Sequence, residues 1–412
     1  MANPVKSRIY RRLLPLYVAA FLQGFVLWYA VEKIFMTTIG FNNATIAIMV
    51  ATYLSVMLIV EIPSGILADR WSRKGVVMLS GLALALSSLI AGFSANITQY
   101  LISTAFFGIF FAFYSGTYDS IVYDTLMEEK GNCDDYEVYY GRVRLLDGLA
   151  LVVSSIFGGF IGQFVGLRQT FLLTIPIALF SVIILFFFRE PKLHLKHEST
   201  SLSRQFKSTM QAITKKGIIL YLLLATVFAG VVSALYFEFN QLWLIALAAP
   251  IVIYGPINAL ILSSVIIGSS VAQYFSKHIK FVSYVAVALL ISAGLALSLV
   301  KNIYVDATAV FVVELIVIAY DIIFNKQLHD RLSSNIRAGA LSVVSSFTRV
   351  LFIPIALFFG VLSQEFGIFG AAWVAFALIV AASLLILKTS SDLKAISLNR
   401  ADLIDQTLPN VR

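Results

Sequence analysis

Cysteine, histidine and charge are all scarce in this chain of 412 residues, which has one cysteine, four histidines and only 13% charged side chains. A single cysteine, Cys133, excludes an intramolecular disulfide framework. The histidines are spread along the chain and indicate no metal cluster, so we expect neither a metal nor a cofactor. Soluble domains carry about 25% charged residues. The shortage of charge therefore argues against a soluble fold.

Apolar residues make up 59% of the chain. So large an excess cannot be hidden in one soluble core, whereas a membrane span needs about 20 apolar residues. The sequence predicts an all-α membrane protein with twelve transmembrane helices, embedded in a lipid bilayer. The predicted spans 1 to 12 lie near residues 13–37, 43–68, 76–95, 98–124, 144–166, 169–189, 217–243, 249–275, 281–300, 303–325, 339–363 and 367–388.

Lysine and arginine alternate between the loops in a way that predicts the orientation. The N-terminal segment, the loops after spans 2, 4, 6, 8 and 10, and the C-terminal segment are basic. The opposite loops offer little more than Lys33, Arg168 and Lys301. By the positive-inside rule, both termini are cytoplasmic. The net charge of +8 is explained in this way without a nucleic-acid partner.

A polar interval at residues 190–216 divides the spans six and six. The sequence predicts an N-terminal bundle (1–189), this cytoplasmic linker, a C-terminal bundle (217–388) and a cytoplasmic tail (389–412). Within the linker, Phe206, Met210 and Ile213 recur at helical spacing among basic residues, which is typical of an amphipathic helix on the membrane surface. A partly ordered linker is the alternative.

The two halves resemble each other at a nearly fixed offset. Tyr118-Asp119 in span 4 corresponds to Tyr320-Asp321 in span 10, and Gly65 in span 2 corresponds to Gly268 in span 8. Matches in the same order predict two six-helix bundles related by an axis along the membrane normal. Rocking-bundle transporters have this arrangement, with the solute site between their halves.

A short motif follows span 2, with the sequence Gly-Ile-Leu-Ala-Asp-Arg-Trp-Ser-Arg-Lys at 65–74. It resembles the signature of the major facilitator superfamily, G-x-L-A-D-R-x-G-R-K, and differs from it at Ser72, where the family favours glycine. The resemblance covers the whole chain. It implies the twelve-helix major facilitator fold, and the compact length is similar to that of bacterial multidrug-efflux members. We therefore expect the inner membrane of a bacterium.

The motif has a physical role of its own. Gly65 would allow close helix approach, and Asp69 can pair with Arg70 or Arg73, or cap a helix N-terminus. The resemblance implies a latch that switches conformation, completed by a carboxylate at the inner end of span 4, where Asp124 stands. The residues assigned to this switch are Gly65, Asp69, Arg70, Arg73, Lys74 and Asp124.

Ionisable side chains inside spans are costly and are candidates for function. A carboxylate in a cavity of low dielectric constant can bind and release a proton near neutral pH. We predict that Asp119, Glu314 and Asp321 supply a proton-coupling group and that Arg349 pairs with one of the acids. Structural ion pairs or interfacial positions are the alternative, which is stronger for Glu32, Glu61 and Glu238 near span ends.

Aromatic residues with polar tips occur in the same spans. Tyr29, Tyr118 and Tyr236 suit an amphiphilic solute, although such residues also suit membrane interfaces. The predicted substrate and proton pathway consists of Glu32, Asp119, Glu238, Glu314, Asp321, Arg349, Tyr29, Tyr118 and Tyr236.

These patterns favour a secondary active transporter that exports a hydrophobic or amphiphilic small molecule in exchange for protons, working by alternating access as a monomer. Two features that are usual in drug–proton antiporters are absent, an arginine within span 4 and a proline in the glycine run of span 5. Coupled uptake of a metabolite is therefore the alternative. A membrane enzyme would need a nucleophile–base pair or a metal set, and a receptor or scaffold would need a recognition domain; neither is evident in the sequence.

Overall fold

The computed structural model describes residues 4–191, 217–331 and 334–407, and all its regular elements are helices. The predicted amphipathic helix of the linker lies outside these residues. The first six spans are built from helices at Pro4–Gly24, Glu32–Thr38, Asn43–Arg70, Arg73–Phe93, Ile97–Tyr114, Thr117–Lys130, Tyr136–Phe164 and Leu167–Phe186.

The remaining spans are formed by five long helices. They are Ile218–Ala246, Ile251–Lys277, Ile279–Leu299, Ile303–Arg331 and Ser334–Thr407. Eleven apolar helices of the described chain are long enough to cross a membrane, and the last such segment, Val344–Leu393, is 50 residues long. Its backbone breaks at Gly367, where φ is 71°, so this segment accounts for spans 11 and 12. The prediction of about twelve spans is confirmed.

Helix ends are fixed by local capping. Asn42 and Thr45 form a reciprocal capping box at the start of span 2, and the Asn96 side chain accepts from the Gln99 N–H at the start of span 4. Such caps satisfy N–H groups that have no partner within the helix. Because the helices of spans 2 and 4 begin at these caps, the loops that precede them are short.

The chain divides into two compact units. Unit 1 comprises Met1–His197, Leu244–Leu262 and Ala356–Gln364, and unit 2 comprises Glu198–Trp243, Ser263–Ile355 and Glu365–Arg412. In unit 1, span 3 packs on spans 4 and 6, span 4 on span 2, and span 1 on spans 5 and 6. In unit 2, span 9 packs on span 10. Unit 1 thus holds the first six spans together with short pieces of spans 7, 8 and 11.

Large apolar side chains are also exposed along the spans, among them Ile59, Phe93, Phe164, Phe281 and Phe366, each more than 65% exposed. A soluble monomer rarely carries so much exposed apolar surface. Lipid is the solvent that accommodates it. The chain is an integral, multi-pass membrane protein.

Two spans of unit 1 are broken inside the membrane. Span 1 leaves helical geometry after Gly24 and resumes at Tyr29, and the Leu27 N–H donates to Thr174 Oγ1 at 3.2 Å. A Cβ on Gly158 would overlap the Leu27 carbonyl oxygen. Span 4 breaks at Gly116, where φ is 79°. Irregular backbone at membrane depth occurs only where protein or a cavity supports it.

Candidate functional site

The motif after span 2 forms a charge network on one face of unit 1. The Arg73 guanidinium forms a very short ion pair with Asp124, and its other nitrogen lies 3.2 Å from Asp69 Oδ1. The Asp124 side chain is 6% exposed, whereas Asp69 is 69% exposed. Because the buried partner is Asp124, the principal ion pair of Arg73 joins the 2–3 loop to the second half of span 4, Thr117–Lys130.

The departure from the family motif at Ser72 has a structural explanation. Ser72 Oγ accepts from the Gly75 N–H at 2.8 Å and donates to Glu190 Oε2 at 2.6 Å. Glu190 Oε1 also accepts from the Lys74 N–H at 3.1 Å. A carboxylate at a helix N-terminus is stabilised by the free N–H groups and the helix dipole. Ser72 and Glu190 therefore tie the start of span 3 to the residues that follow span 6.

Other motif residues are placed differently. Lys74 Nζ donates to the Phe186 and Phe188 carbonyls at 3.0 and 2.9 Å, and Arg70 is exposed. Around Gly65, which is also exposed, no atom of the described chain lies within 4 Å of a Cβ built on it. The close helix approach expected at Gly65 is therefore not present in this conformation.

Glu32 lies in a buried ion pair at the far end of span 1. Lys33 Nζ is 2.5 Å from Glu32 Oε2, and the Tyr100 hydroxyl donates to Glu32 Oε1 at 2.8 Å. Both charged residues are buried. A polar cavity of about 10 Å³, enough for one water, adjoins them and is lined by Trp28, Glu32, Ser87, Tyr100, Ser103, Thr104, Phe107 and Phe171. Since both Glu32 oxygens are bound, the geometry here is that of a structural pair.

Tyr29 sits beside this cavity. It is half-buried, and its ring lies 5.8 Å from Trp28 and 6.5 Å from Phe107, centroid to centroid. The aromatic contacts hold it within unit 1.

Asp119 and Tyr118 lie in the second half of span 4, beyond the break at Gly116. The Tyr136 hydroxyl donates to Asp119 through a very short hydrogen bond, and Tyr118, 2% exposed, donates to Gln23 Oε1 at 3.2 Å. Tyr100, which contacts Glu32, lies in the helix Ile97–Tyr114, whereas Asp119 lies in the separate helix Thr117–Lys130. Glu32 and Asp119 therefore belong to two separate places and do not share one site.

Gln23 forms hydrogen bonds with several neighbouring spans of unit 1. It is fully buried and donates to the Val77 carbonyl and Ser181 Oγ at 3.1 and 3.2 Å. Its Oε1 atom accepts from Ser80 and Tyr118. Every hydrogen-bonding group of the Gln23 amide has a partner. The contact of Tyr118 with Gln23 is therefore part of the packing of unit 1.

The corresponding tyrosine of unit 2 has a similar place. Tyr320 is fully buried, and its hydroxyl lies 2.7 Å from Ser283 Oγ, which also donates to Ser390 at 2.8 Å. Ser283 follows Ser80 by 203 residues, the same offset as Gly65 and Gly268. In unit 1 the corresponding residues Tyr118 and Ser80 both donate to Gln23, whereas in unit 2 Tyr320 and Ser283 contact each other directly.

Asp147 of span 5 joins the two helix breaks of unit 1. A Cβ on Gly24, where span 1 breaks, would lie 2.6 Å from Asp147 Oδ1. The Tyr114 side chain, at the end of the first half of span 4, interacts with the same carboxylate. Arg144 is its ion-pair partner, at 3.9 Å and with 63% of the arginine side chain exposed. Asp147 is not among the residues of the predicted pathway, although it lies within the predicted span 5.

Glu314 is one of the buried acids of unit 2. Ser233 Oγ donates to Glu314 Oε2 at 2.7 Å, and Tyr236 lies near the same carboxyl group. Glu314 Oε1, the Tyr236 hydroxyl and Asn240 Oδ1 are among the buried atoms that have no hydrogen-bond partner within the described residues. Ser233, Tyr236 and Asn240 recur at helical spacing on span 7, so unit 2 contains a polar face with unmet hydrogen-bonding capacity.

The remaining predicted residues of unit 2 are less closely grouped. Asp321 is half-buried and interacts with Asn325 one turn along span 10. Glu238 is buried at 7% exposure, although the sequence places it near a span end, and Arg349 is half-buried. The pairing of Arg349 with one of the acids stays a prediction.

Asp306 is the fourth residue of the helix Ile303–Arg331 and is not among the predicted site residues. It is 2% exposed, and neither carboxyl oxygen has a hydrogen-bond partner in the part of the chain that the structure describes. From the sequence, a hydrophilic residue so close to a helix end is expected at the membrane–water interface. Only the packing reveals that it is buried.

Long apolar helices, exposed apolar surface and buried acids define a polytopic membrane protein with polar groups held at membrane depth. The chain belongs to the Major Facilitator Superfamily, whose family model matches residues 13–351. It is a transporter of small molecules rather than an enzyme. The predicted family and fold are confirmed.

Comparisons with individual proteins support the same fold. A stretch of 174 residues is 25% identical to "Multidrug resistance protein 2" of Bacillus subtilis and spans 42% of each chain. Among solved structures, a bacterial homolog of the human lysosomal transporter Spinster, in an inward-facing conformation, is 16% identical, with a TM-score of 0.75 over 95% of this chain and 98% of its own.

Two further structures have the same architecture. The nucleoside transporter NupG is 15% identical, with a TM-score of 0.73 over 93% of this chain and 99% of its own. The xylose transporter XylE from E. coli is 14% identical, with a TM-score of 0.69 over 94% and 99%. At these identities the similarity concerns the fold alone.

Proposed function

We propose that this transporter exports a hydrophobic or amphiphilic small molecule in exchange for protons by alternating access. The observation that carries the proton coupling is Glu314, which is buried against Ser233 with one carboxyl oxygen unsatisfied within the described chain. A charged carboxylate is far costlier to bury than a neutral carboxyl group. A group in this position takes up a proton when enclosed and releases it when water reaches it.

Two observations support the proposed chemical class of the exported molecule. The partial similarity to a multidrug resistance protein of Bacillus subtilis agrees with hydrophobic cargo, and the aromatic residues Tyr29 and Tyr236 lie near buried polar groups. The D-xylose–proton symporter shares the fold and is a precedent for the alternative, proton-coupled uptake of a metabolite. We further propose a monomer in a bacterial inner membrane with cytoplasmic termini.

The motif residues are proposed as the conformational switch of this cycle. Arg73 joins Asp124 and Asp69 in one ion-pair network, and such a network must rearrange if span 4 moves relative to the 2–3 loop. Gly65, Arg70 and Lys74 complete the proposed switch.

Proteoliposomes test the coupling directly. An internal pH dye reports proton movement on addition of a lipophilic substrate, and we expect substrate-dependent flux in the wild type and its loss in Glu314→Gln. Glu365→Gln, at an exposed acid of unit 2, is the matched control and keeps the flux. If Glu314→Gln retains full proton-coupled activity, the assignment to Glu314 is wrong, and if Asp119→Asn and Asp321→Asn retain it as well, none of the three predicted acids supplies the coupling group. The sign of the flux separates export from uptake.

A further inference from the structure

The turn between spans 8 and 9 is exposed and basic. The helix of span 8 ends at Lys277 and that of span 9 begins at Ile279, so His278 alone connects them. From residue 268 to residue 284 the chain carries two lysines and one histidine but no acidic residue. The exposed residues at this turn, which we call the 8–9 corner, are Tyr274, Lys277, His278, Lys280, Phe281 and Tyr284.

The corresponding turn of unit 1, between spans 2 and 3, satisfies its charges within the protein. Arg73 pairs with Asp124, and the Lys74 ammonium group donates to two backbone carbonyls at the end of span 6. The first turn of span 3 is capped by the Ser72 side chain and by the Glu190 carboxylate. Arg73, Lys74 and the start of span 3 therefore have partners within unit 1.

Unit 2 does not repeat these partners. The offset of 203 between the halves places Ala272 at the position of Asp69, and the offset of 202 places Lys326 at the position of Asp124. Within the part of the chain that the structure describes, neither Lys277 nor Lys280 forms an ion pair, and no side chain caps the start of span 9. The positive charge of the 8–9 corner is therefore available to an anion from outside the chain.

The aromatic residues of the 8–9 corner are typical of a membrane–water interface. Tyr274, Phe281 and Tyr284 are 61%, 74% and 58% exposed. The exposed apolar surface continues from the corner along both spans, for example at Ile267 of span 8 and Leu289 of span 9. The 8–9 corner thus joins a basic group of side chains to a surface that lipid acyl chains cover.

The level of the two lysines favours a lipid over a soluble acidic partner. Lys277 is the last residue of span 8 and Lys280 lies in the first turn of span 9, so both stand beside the lipid headgroups rather than beyond them. A basic residue next to the membrane surface raises the affinity for anionic lipid by about fivefold. Ammonium groups also donate charge-assisted hydrogen bonds to phosphate oxygens.

We propose that the 8–9 corner binds the headgroup of an anionic phospholipid, with Lys277 and Lys280 against the phosphate and Phe281 and Tyr284 against the acyl chains. Phosphatidylglycerol has this chemistry, whereas phosphatidylcholine with the same acyl chains carries no net charge. This lipid site is independent of the cargo and of the proton coupling assigned to Glu314.

Native mass spectrometry of the full-length protein provides the test. The protein is titrated in detergent with phosphatidylglycerol or with phosphatidylcholine of the same acyl chains, and the affinity for the first bound lipid is measured. We expect the wild type to prefer phosphatidylglycerol, and the double variant Lys277→Gln, Lys280→Gln to bind it about tenfold or more weakly. Because both lysines are exposed, these substitutions should not impair folding.

The matched control removes the same charge from two paired lysines. Lys326 pairs with Asp330 and Lys388 with Asp392, so Lys326→Gln, Lys388→Gln should leave phosphatidylglycerol binding nearly unchanged. Lys277→Arg, Lys280→Arg keeps the charge and should keep the preference.

A soluble competitor distinguishes the lipid from a free phosphate. Glycerol phosphate shares the headgroup chemistry but has no acyl chains, and it should not displace the lipid at equal concentration. The proposal is overturned if the wild type binds both lipids alike, if the glutamine variant at the 8–9 corner behaves like the control, if the arginine variant loses the preference, or if glycerol phosphate displaces the lipid.

Discussion

At the scale of single residues, charge inside the membrane divides into paired and unpaired groups. Glu32 is neutralised by Lys33, and Asp124 by Arg73, whereas Glu314 has a neutral donor and one free oxygen in the described structure. The sequence marks intramembrane acids alike, because the cost of burial depends on partners that are distant in the chain. Glu314 is thus a stronger candidate for function than Glu32.

The Arg73–Asp124 pair should show the cost of an unpaired buried charge. We expect Arg73→Ala to lower the free energy of unfolding by about 3 kcal/mol or more, because the buried Asp124 carboxylate loses the guanidinium that neutralises it. The double variant Arg73→Ala, Asp124→Asn should lose less than this. Chemical denaturation in detergent measures both values.

An ion pair with exposed side chains is the control for the Arg73–Asp124 pair. Lys326 and Asp330 lie 2.8 Å apart with side chains 70% and 53% exposed, so Lys326→Ala should change stability by less than about 1 kcal/mol. Equal effects of Lys326→Ala and Arg73→Ala would contradict the argument from burial.

Gly158 should tolerate no side chain. Because its Cβ would overlap the Leu27 carbonyl at the break in span 1, we expect Gly158→Ala to destabilise the protein by about 1–3 kcal/mol through overpacking. Gly148→Ala on the same span is the control, since no described atom lies within 4 Å of a Cβ built there. Thermal unfolding followed by circular dichroism compares the two, and a neutral Gly158→Ala would refute the close contact.

At the scale of elements, the breaks in spans 1 and 4 distinguish unit 1 from a bundle of straight helices. The sequence predicts each as one continuous span, since the apolar run does not stop at Gly24 or Gly116. The geometry of the break depends on the neighbouring span, where Thr174 supplies the acceptor for the Leu27 N–H. Hydrophobicity thus predicts where a span lies, and packing decides where it bends.

Gly116 should be required for the break in span 4. Its φ of 79° is costly for any residue with a Cβ, so Gly116→Ala should destabilise the protein by roughly 1–2 kcal/mol. Gly141→Ala, within a regular helix and with open space around it, should instead stabilise by about 0.5–1 kcal/mol. Opposite signs in a denaturant titration support the argument, and equal signs contradict it.

At the scale of the whole molecule, unit 1 includes contacts between distant parts of the chain. A Cβ on Gly159 would lie 2.6 Å from the Gly255 nitrogen, and the Asn258 amide donates to Ser155 Oγ at 2.9 Å. In the predicted orientation these residues lie near the extracellular ends of spans 5 and 8. Under alternating access, such contacts must separate during the cycle.

Gly255→Leu should force spans 5 and 8 apart. In a Cys133→Ser, Ser155→Cys background, we expect this change to increase labelling of position 155 by a membrane-impermeant maleimide severalfold, because the two helices can no longer touch. Ile267→Leu, at an exposed position of span 8, is the control. Unchanged labelling would show that the contact does not close this face of the molecule.

The sequence by itself determined the class of this protein. Apolar runs of about 20 residues, the alternation of basic loops, the offset between halves and the motif at 65–74 are local or periodic features, and they required the membrane, the span count and the family. The tertiary structure alone decided which acids are paired, that Asp147 meets two helix breaks, and that Asp306 is buried. Those properties depend on contacts between residues far apart in the chain, which no single stretch of sequence encodes.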